Sequence, residues 1–169
     1  MKDNQIKYSF MEIQRFTQTW LVYVLIAIAV ITVITTIKVG LDSQTNGSEA
    51  LIAGLISFVV VLFVFSLLFW SKLEVFLDKD RLLYRFFPLQ IKYKYLLYDD
   101  IKSYMIRKYS PIMEYGGWGI RYAFKKGWAY NVSGNMGMQI ETNNGKKWLF
   151  GTRKPDEFSR ALEKLIKRK

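Results

Sequence analysis

Two runs of uncharged, apolar residues, at 20–37 and 50–70, lie near the start of the chain, and the remainder is polar, aromatic and basic. At about 1.5 Å per helical residue they reach roughly 27 and 31 Å, close to the thickness of a bilayer's hydrocarbon core. They predict two transmembrane helices. The first also fits the h-region of a signal peptide, but it is longer than usual and no small-residue cleavage pattern follows Ile37. The segment between them, 38–49, is rich in Gly, Asn, Asp and Ser and reads as a connector. Asn46-Gly-Ser48 formally matches a glycosylation acceptor, a short pattern that is frequent by chance.

Charge sets the expected direction of this hairpin. Residues 1–19 carry three basic and two acidic side chains and the connector one and two, which leaves 21 basic and 10 acidic residues in 71–169. The net charge of +11 therefore belongs to the C-terminal region. Cytoplasmic flanks are enriched in Lys and Arg, so the expectation is a multi-pass cell-membrane protein with an extracytoplasmic connector and both termini cytoplasmic. Trp20 and Tyr23 open the first span, and Phe69 and Trp70 close the second. All four are expected at the inner interface, where amphipathic rings are favoured.

Phe10, Ile13, Phe16 and Trp20 recur at helical spacing. Two readings of 1–19 stay open: a cytoplasmic interfacial helix, with Arg15 available to anionic lipid, or a plain extension of the first span.

Cysteine and histidine are both absent, which excludes disulfides, thiol catalysis, thiolate or imidazole metal sites and the commonest general base. Asp99 and Asp100 are adjacent, but they precede a predicted strand at Ile101 and read as turn caps. The expectation is a protein that is not an enzyme, with no catalytic residues, metal or cofactor. Nucleic acid is not expected as a partner, since no nucleic-acid motif accompanies the charge.

From 71 onward the periodicity shortens to two. Strands are predicted over 73–77, 81–87, 91–96, 101–109, 118–124, 128–132, 136–142 and 146–150, with polar turns at 78–80 and at Asn143-Asn-Gly145 and a loop around Pro111. Lys154-Pro-Asp-Glu157 opens an amphipathic helix whose Phe158, Ala161, Leu162, Leu165 and Ile166 share a face. About seven strands and one C-terminal α-helix in 71–169 suggest a bent antiparallel sheet, a mainly-β roll like that of pleckstrin-homology domains.

The strings YGGWGIR at 115–121 and GWAYNVSGNMG at 127–137, with Gly151-Thr-Arg-Lys-Pro-Asp156 and Glu12-Ile-Gln-Arg-Phe16, resemble a family of uncharacterised bacterial membrane proteins. Those proteins join one or two spans to a bacterial PH-like domain, and the resemblance implies a fold and a cellular address more than an activity. The Gly/aromatic cassette admits two explanations. In one, its glycines make turns and its aromatics fill a core. In the other, Tyr115, Trp118, Arg121, Trp128, Tyr130, Asn131 and Asn135 form a rim that offers donors to an anionic or peptide ligand. Among the basic residues, Arg15, Lys72, Lys79, Arg81, Lys125 and Lys126 are candidate contacts to anionic lipid headgroups.

The functional expectation is an interaction module at the inner leaflet, with an unknown protein partner or the lipid surface. The alternative is an accessory or structural subunit of a larger membrane complex, with Gly54 and Ser57 allowing close helix contact. A lipid-directed enzyme would need converging carboxylates or a metal site, and the sequence displays neither.

Overall fold

A computed structural model of the chain describes residues 8–16, 19–41 and 47–167. The chain divides into two compact units, residues 17–70 on one hand and residues 1–16 together with 71–169 on the other.

The first unit is a pair of helices, α1 (Thr19–Leu41) and α2 (Gly47–Trp70). They meet along small residues. A Cβ added at Gly54 would lie 2.5 Å from Thr36 Cγ2, so glycine is what lets the two backbones approach there. Ala29, Thr32, Thr36, Gly54, Phe58 and Val61 line a crevice of about 220 Å³ beside this contact. The threonine hydroxyls are satisfied within α1, Thr32 donating to the Ile28 carbonyl at 2.8 Å and Thr36 to that of Thr32 at 2.9 Å. The remaining faces are apolar and exposed. Over Val22–Leu41 and Leu51–Trp70 the mean hydropathy is 2.5 and 2.9, and both helices are long and apolar enough to cross a membrane. The side chain of Trp20 and residues 42–46 of the connector, Asn46 among them, lie outside the described residues.

The second unit holds two sheets and a C-terminal helix. The first sheet has the order β1 (Phe10–Arg15), β2 (Lys72–Leu77), β3 (Arg81–Phe87), β4 (Lys94–Leu97), all antiparallel. The second comprises β5 (Ile101–Lys108), β6 (Gly119–Ala123), β7 (Gly127–Asn131), β8 (Met136–Thr142) and β9 (Lys147–Gly151). Its order is β5-β8-β9-β7-β6, and only β7 against β9 is parallel. A short helix α3 (Pro111–Tyr115) follows β5, and α4 (Pro155–Ile166) ends the fold. Leu73, Val75, Leu77, Leu82, Tyr84 and Phe86 alternate inward from the first sheet to meet Met138, Ile140 and Phe150 of the second. Phe158, Leu162 and Leu165 of α4 complete that core, Phe158 stacking on Phe10 at 4.7 Å. A smaller cluster, Tyr109, Tyr115, Ala129 and Leu149, lies on the outer face of the second sheet.

The structure corrects the reading of the N-terminal segment, where residues 10–15 form a strand and not an interfacial helix. β1 pairs with β2 in unbroken register from Phe10↔Leu77 to Arg15↔Lys72, at the edge of the sheet, and its alternate residues Phe10, Glu12 and Gln14 are buried there as a short solvent-exposed helix would not bury them. Phe10, Glu12 and Gln14 turn inward, while Met11 and Ile13 turn out. Among the described residues the β-unit therefore has nine strands, eight of them after residue 70. The loop expected at Pro111 contains α3, begun by the Ser110 hydroxyl accepting from the Met113 amide at 3.4 Å and closed at Gly116, whose φ is 71°. Asp99 and Asp100 lie in a 3-10 turn ahead of β5, where the Asn143 side-chain amide and backbone N–H donate to their carbonyls at 2.9 and 2.8 Å.

Candidate interaction surface

The strings at 12–16, 115–121, 127–137 and 151–156 meet in the fold. Glu12, buried on β1, accepts from the Thr152 hydroxyl at 2.5 Å and from the Arg153 amide at 2.8 Å. Gln14 donates to the Gly151 carbonyl at 2.7 Å. Arg153 in turn donates to the Ser133 hydroxyl from Nε at 3.0 Å and from Nη2 at 2.7 Å. Asn131 accepts from the Gly119 amide at 3.0 Å. Gly151 is needed at the centre, since a Cβ there would lie 3.0 Å from the Asn131 Cβ and 3.1 Å from the Tyr109 hydroxyl. These contacts staple the strand preceding α1 to the C-terminal part of the roll, and their role is structural.

The seven residues read as a recognition rim are divided by the fold. Asn131 is 0% exposed, and Tyr115 and Tyr130 are also buried. Tyr130 belongs to the core, with Tyr84 edge-on at 4.9 Å and Phe150 stacked at 5.7 Å. Tyr115 belongs to the outer cluster beside Tyr109. Arg121, Trp128 and Asn135 are exposed, and Trp118 is half-buried. Arg121 folds back to donate to the Trp118 carbonyl at 3.0 Å. A continuous rim of these seven does not form, because Tyr115, Tyr130 and Asn131 are taken up in the interior.

What reaches solvent is the turn between β6 and β7. Phe124 is 89% exposed at its tip, followed by Lys125 and Lys126, and Tyr122 and Trp128 pair beneath it at 5.2 Å. A cleft of about 400 Å³ opens there, lined by Tyr122, Phe124, Lys125, Trp128, Lys146 and Lys147. A neighbouring cleft of about 370 Å³ shares Lys125 and Lys147 and adds Met105, Arg107, Glu114 and Gln139. Glu114 organises this second wall, accepting from Arg107 and Lys126 at 2.9 Å each and from the Ser110 amide at 2.9 Å. Partial desolvation raises the Glu114 pKa, but these donors outweigh it and hold the carboxyl below its ordinary value. Lys126 is thus partly neutralised, whereas Lys125 and Lys146 make no ion pair among the described residues. Aromatic edges and free ammonium groups side by side suit an anionic partner. Tyr122, Phe124, Lys146 and Lys147 were not marked by the sequence as a group. The available signal was the run Tyr122-Ala-Phe-Lys-Lys-Gly-Trp128, an aromatic-flanked basic turn.

The six proposed lipid contacts are separated too. Arg15 and Lys72 are paired at one end of the first sheet. Lys79 and Arg81 sit at the β2–β3 turn, and at about 3.3 Å per residue the strand puts roughly 20 Å between the two groups. That exceeds the Debye length of about 8 Å at physiological salt, so they do not act as one patch. Lys125 and Lys126 belong to the second sheet's turn.

On the outer face of the first sheet, Glu74 is almost fully buried among partners. Lys72 lies 2.6 Å away, Arg85 donates from Nη2 at 2.6 Å and from Nε at 2.9 Å, and the Tyr93 hydroxyl also donates. Desolvation pushes the Glu74 pKa up, but the donors outweigh it and the group titrates below its ordinary value. Burial and the Glu74 carboxylate push the Tyr93 hydroxyl up to about 12. Arg85 stacks over the Tyr93 ring at 4.3 Å. Among the described residues no cluster of carboxylates is placed to hold a metal ion.

No known protein family, curated protein or solved structure matches the chain.

Proposed function

We propose that this chain is an integral protein of the cell membrane, in which α1 and α2 cross as a hairpin and the β-unit is a cytoplasmic PH-like interaction module. It has no enzymatic role and no cofactor. The module engages a protein partner or the anionic lipid surface at the inner leaflet through the exposed β6–β7 turn and its clefts. The observation that carries the reading is the pairing of Arg15 with Lys72. Those residues stand just before α1 and just after α2, on neighbouring strands of one sheet. A helical pair whose two ends open on the same side is what two crossings require, and this supports the hairpin over a single crossing. The basic excess of 21 over 10 in 71–169 supports the cytoplasm as that side. Two sheets closed by a C-terminal helix support the PH-like description.

The alternative, an accessory subunit assembled through the helices, loses its particular support. Gly54 already makes its close contact within the chain, against Thr36. Labelling of intact and permeabilised cells tests the proposal, since the chain has no cysteine and each introduced thiol is unique. A membrane-impermeant maleimide is expected to label Ser43→Cys in intact cells and Lys125→Cys only after permeabilisation. Equal labelling of the two sites in intact cells overturns the orientation.

A further inference from the structure

The two ends of the first sheet differ in chemistry. At the β2–β3 turn stand Asp78, Lys79 and Asp80, and the large apolar side chain exposed at that end, Leu97 opposite Arg81, is only 40% exposed. At the opposite end, Phe87 pairs with Lys72, which pairs with Arg15. Trp70, the last residue of α2, is two positions from Lys72, and Thr19, the first of α1, is four from Arg15. Neighbouring strands are about 4.8 Å apart, so the chain leaves β3 beside the point where it enters and leaves the helical pair. The loop that begins there, after the cis Phe87–Pro88 bond, exposes Leu89 (66%) and Ile91 (75%).

This loop is held in shape. The Gln90 amide donates to the Phe86 carbonyl at 2.7 Å, the Gln90 side chain donates to the Tyr130 hydroxyl at 3.4 Å, and Arg85 donates to the Ile91 carbonyl at 3.2 Å. Gln90 and Arg85 thus anchor the loop inward while the two aliphatic side chains are displayed outward, with little ordering entropy left to lose on contact. Around them the charge is positive. Arg15, Lys72, Arg85 and Lys92 stand against one carboxylate, Glu74, and Lys92 and Arg15 are exposed. Apolar side chains ringed by cations are the composition of segments that settle at an anionic headgroup–acyl boundary.

We propose that the loop 88–92 is a membrane anchor separate from the spans, which sinks Leu89 and Ile91 into the boundary region of the anionic leaflet with Arg15 and Lys92 at phosphate level. The proposal rests on the reading of α1 and α2 as spans.

The test uses the full chain, labelled with an environment-sensitive fluorophore at a single introduced cysteine (Leu89→Cys, Ile91→Cys, Lys79→Cys or Val59→Cys) and reconstituted into vesicles of phosphatidylcholine with or without phosphatidylglycerol. Leu89 and Ile91 labels are expected to be several-fold less quenched by aqueous acrylamide than the Lys79 label. Lipid bearing a shallow nitroxide should quench them, and more strongly when phosphatidylglycerol is present. If they are as open to acrylamide as Lys79 while a deep nitroxide quenches Val59, the anchor is overturned and the spans stand. If no lipid nitroxide quenches Val59, both fall. Protection that is equal without phosphatidylglycerol overturns the anionic part of the proposal.

Discussion

Two carboxylates on neighbouring strands of the first sheet are buried on opposite faces and stabilised by different means. Glu12 turns inward and is held by neutral donors, the hydroxyl of the buried Thr152 and the backbone amide of Arg153. Glu74 turns outward and is held by cations whose side chains keep some access to solvent, 21% for Arg85 and 27% for Lys72. A buried charge among trapped neutral donors fixes geometry, because removing it strands those donors. One among half-exposed cations tolerates loss better, since the cations rehydrate.

That contrast is broken or sharpened by substitution. Glu12→Ala should have the largest effect, about 3 kcal/mol of β-unit stability, because the buried Thr152 hydroxyl and the Arg153 amide lose their acceptor and β1 loosens from the segment that follows β9. Thermal or denaturant unfolding of the solubilised full chain measures it. Glu74→Ala should cost about 2 kcal/mol, less than an enclosed ion pair would, since Arg85 and Lys72 reach water. The opposite ranking contradicts the comparison.

Acid should produce a smaller change. The Glu74 carboxyl is held below its ordinary value of 4.5 in the folded chain, so its contribution is complete above that value and is lost as pH falls through the depressed one. The unfolding midpoint of the unmodified chain should therefore fall more steeply from about pH 5 to pH 3 than that of Glu74→Gln. Glu114, depressed likewise, adds a background slope that both proteins share. Least of all, Lys154→Ala removes an exposed pair with Glu157 at 3.2 Å and should change stability by under about 0.5 kcal/mol.

The helical pair was legible because an uninterrupted apolar run carries its own instruction; no partner elsewhere in the chain is needed to interpret it. The strands after residue 70 were legible from alternation and from turn signals such as Asn143-Asn-Gly145, where Gly145 adopts a φ of 77°. β1 was not. Its inward face is Phe10, Glu12 and Gln14, its outward face carries Met11 and Ile13, and that inversion hides the two-residue period behind a chance helical spacing. The polar inward residues make sense only once Gly151, Thr152 and Arg153, some 140 positions away, are brought beside them. For the same reason the cassette at 115–137 looked like a rim. Its residue types suited recognition, but strand alternation sends Tyr130 into the core and Asn131 against the Gly119 amide, and the fully exposed aromatic is Phe124 in the neighbouring turn.

The central claim is that the strand preceding the helical pair belongs to the sheet that follows it. Met11 and Phe76 are cross-strand partners on the outer face of that sheet. In the otherwise cysteine-free chain, Met11→Cys combined with Phe76→Cys should form an intramolecular disulfide nearly completely on mild oxidation in membranes, while Met11→Cys with Lys79→Cys should not. Failure of the first pair to cross-link, or equal cross-linking of the two pairs, contradicts the claim.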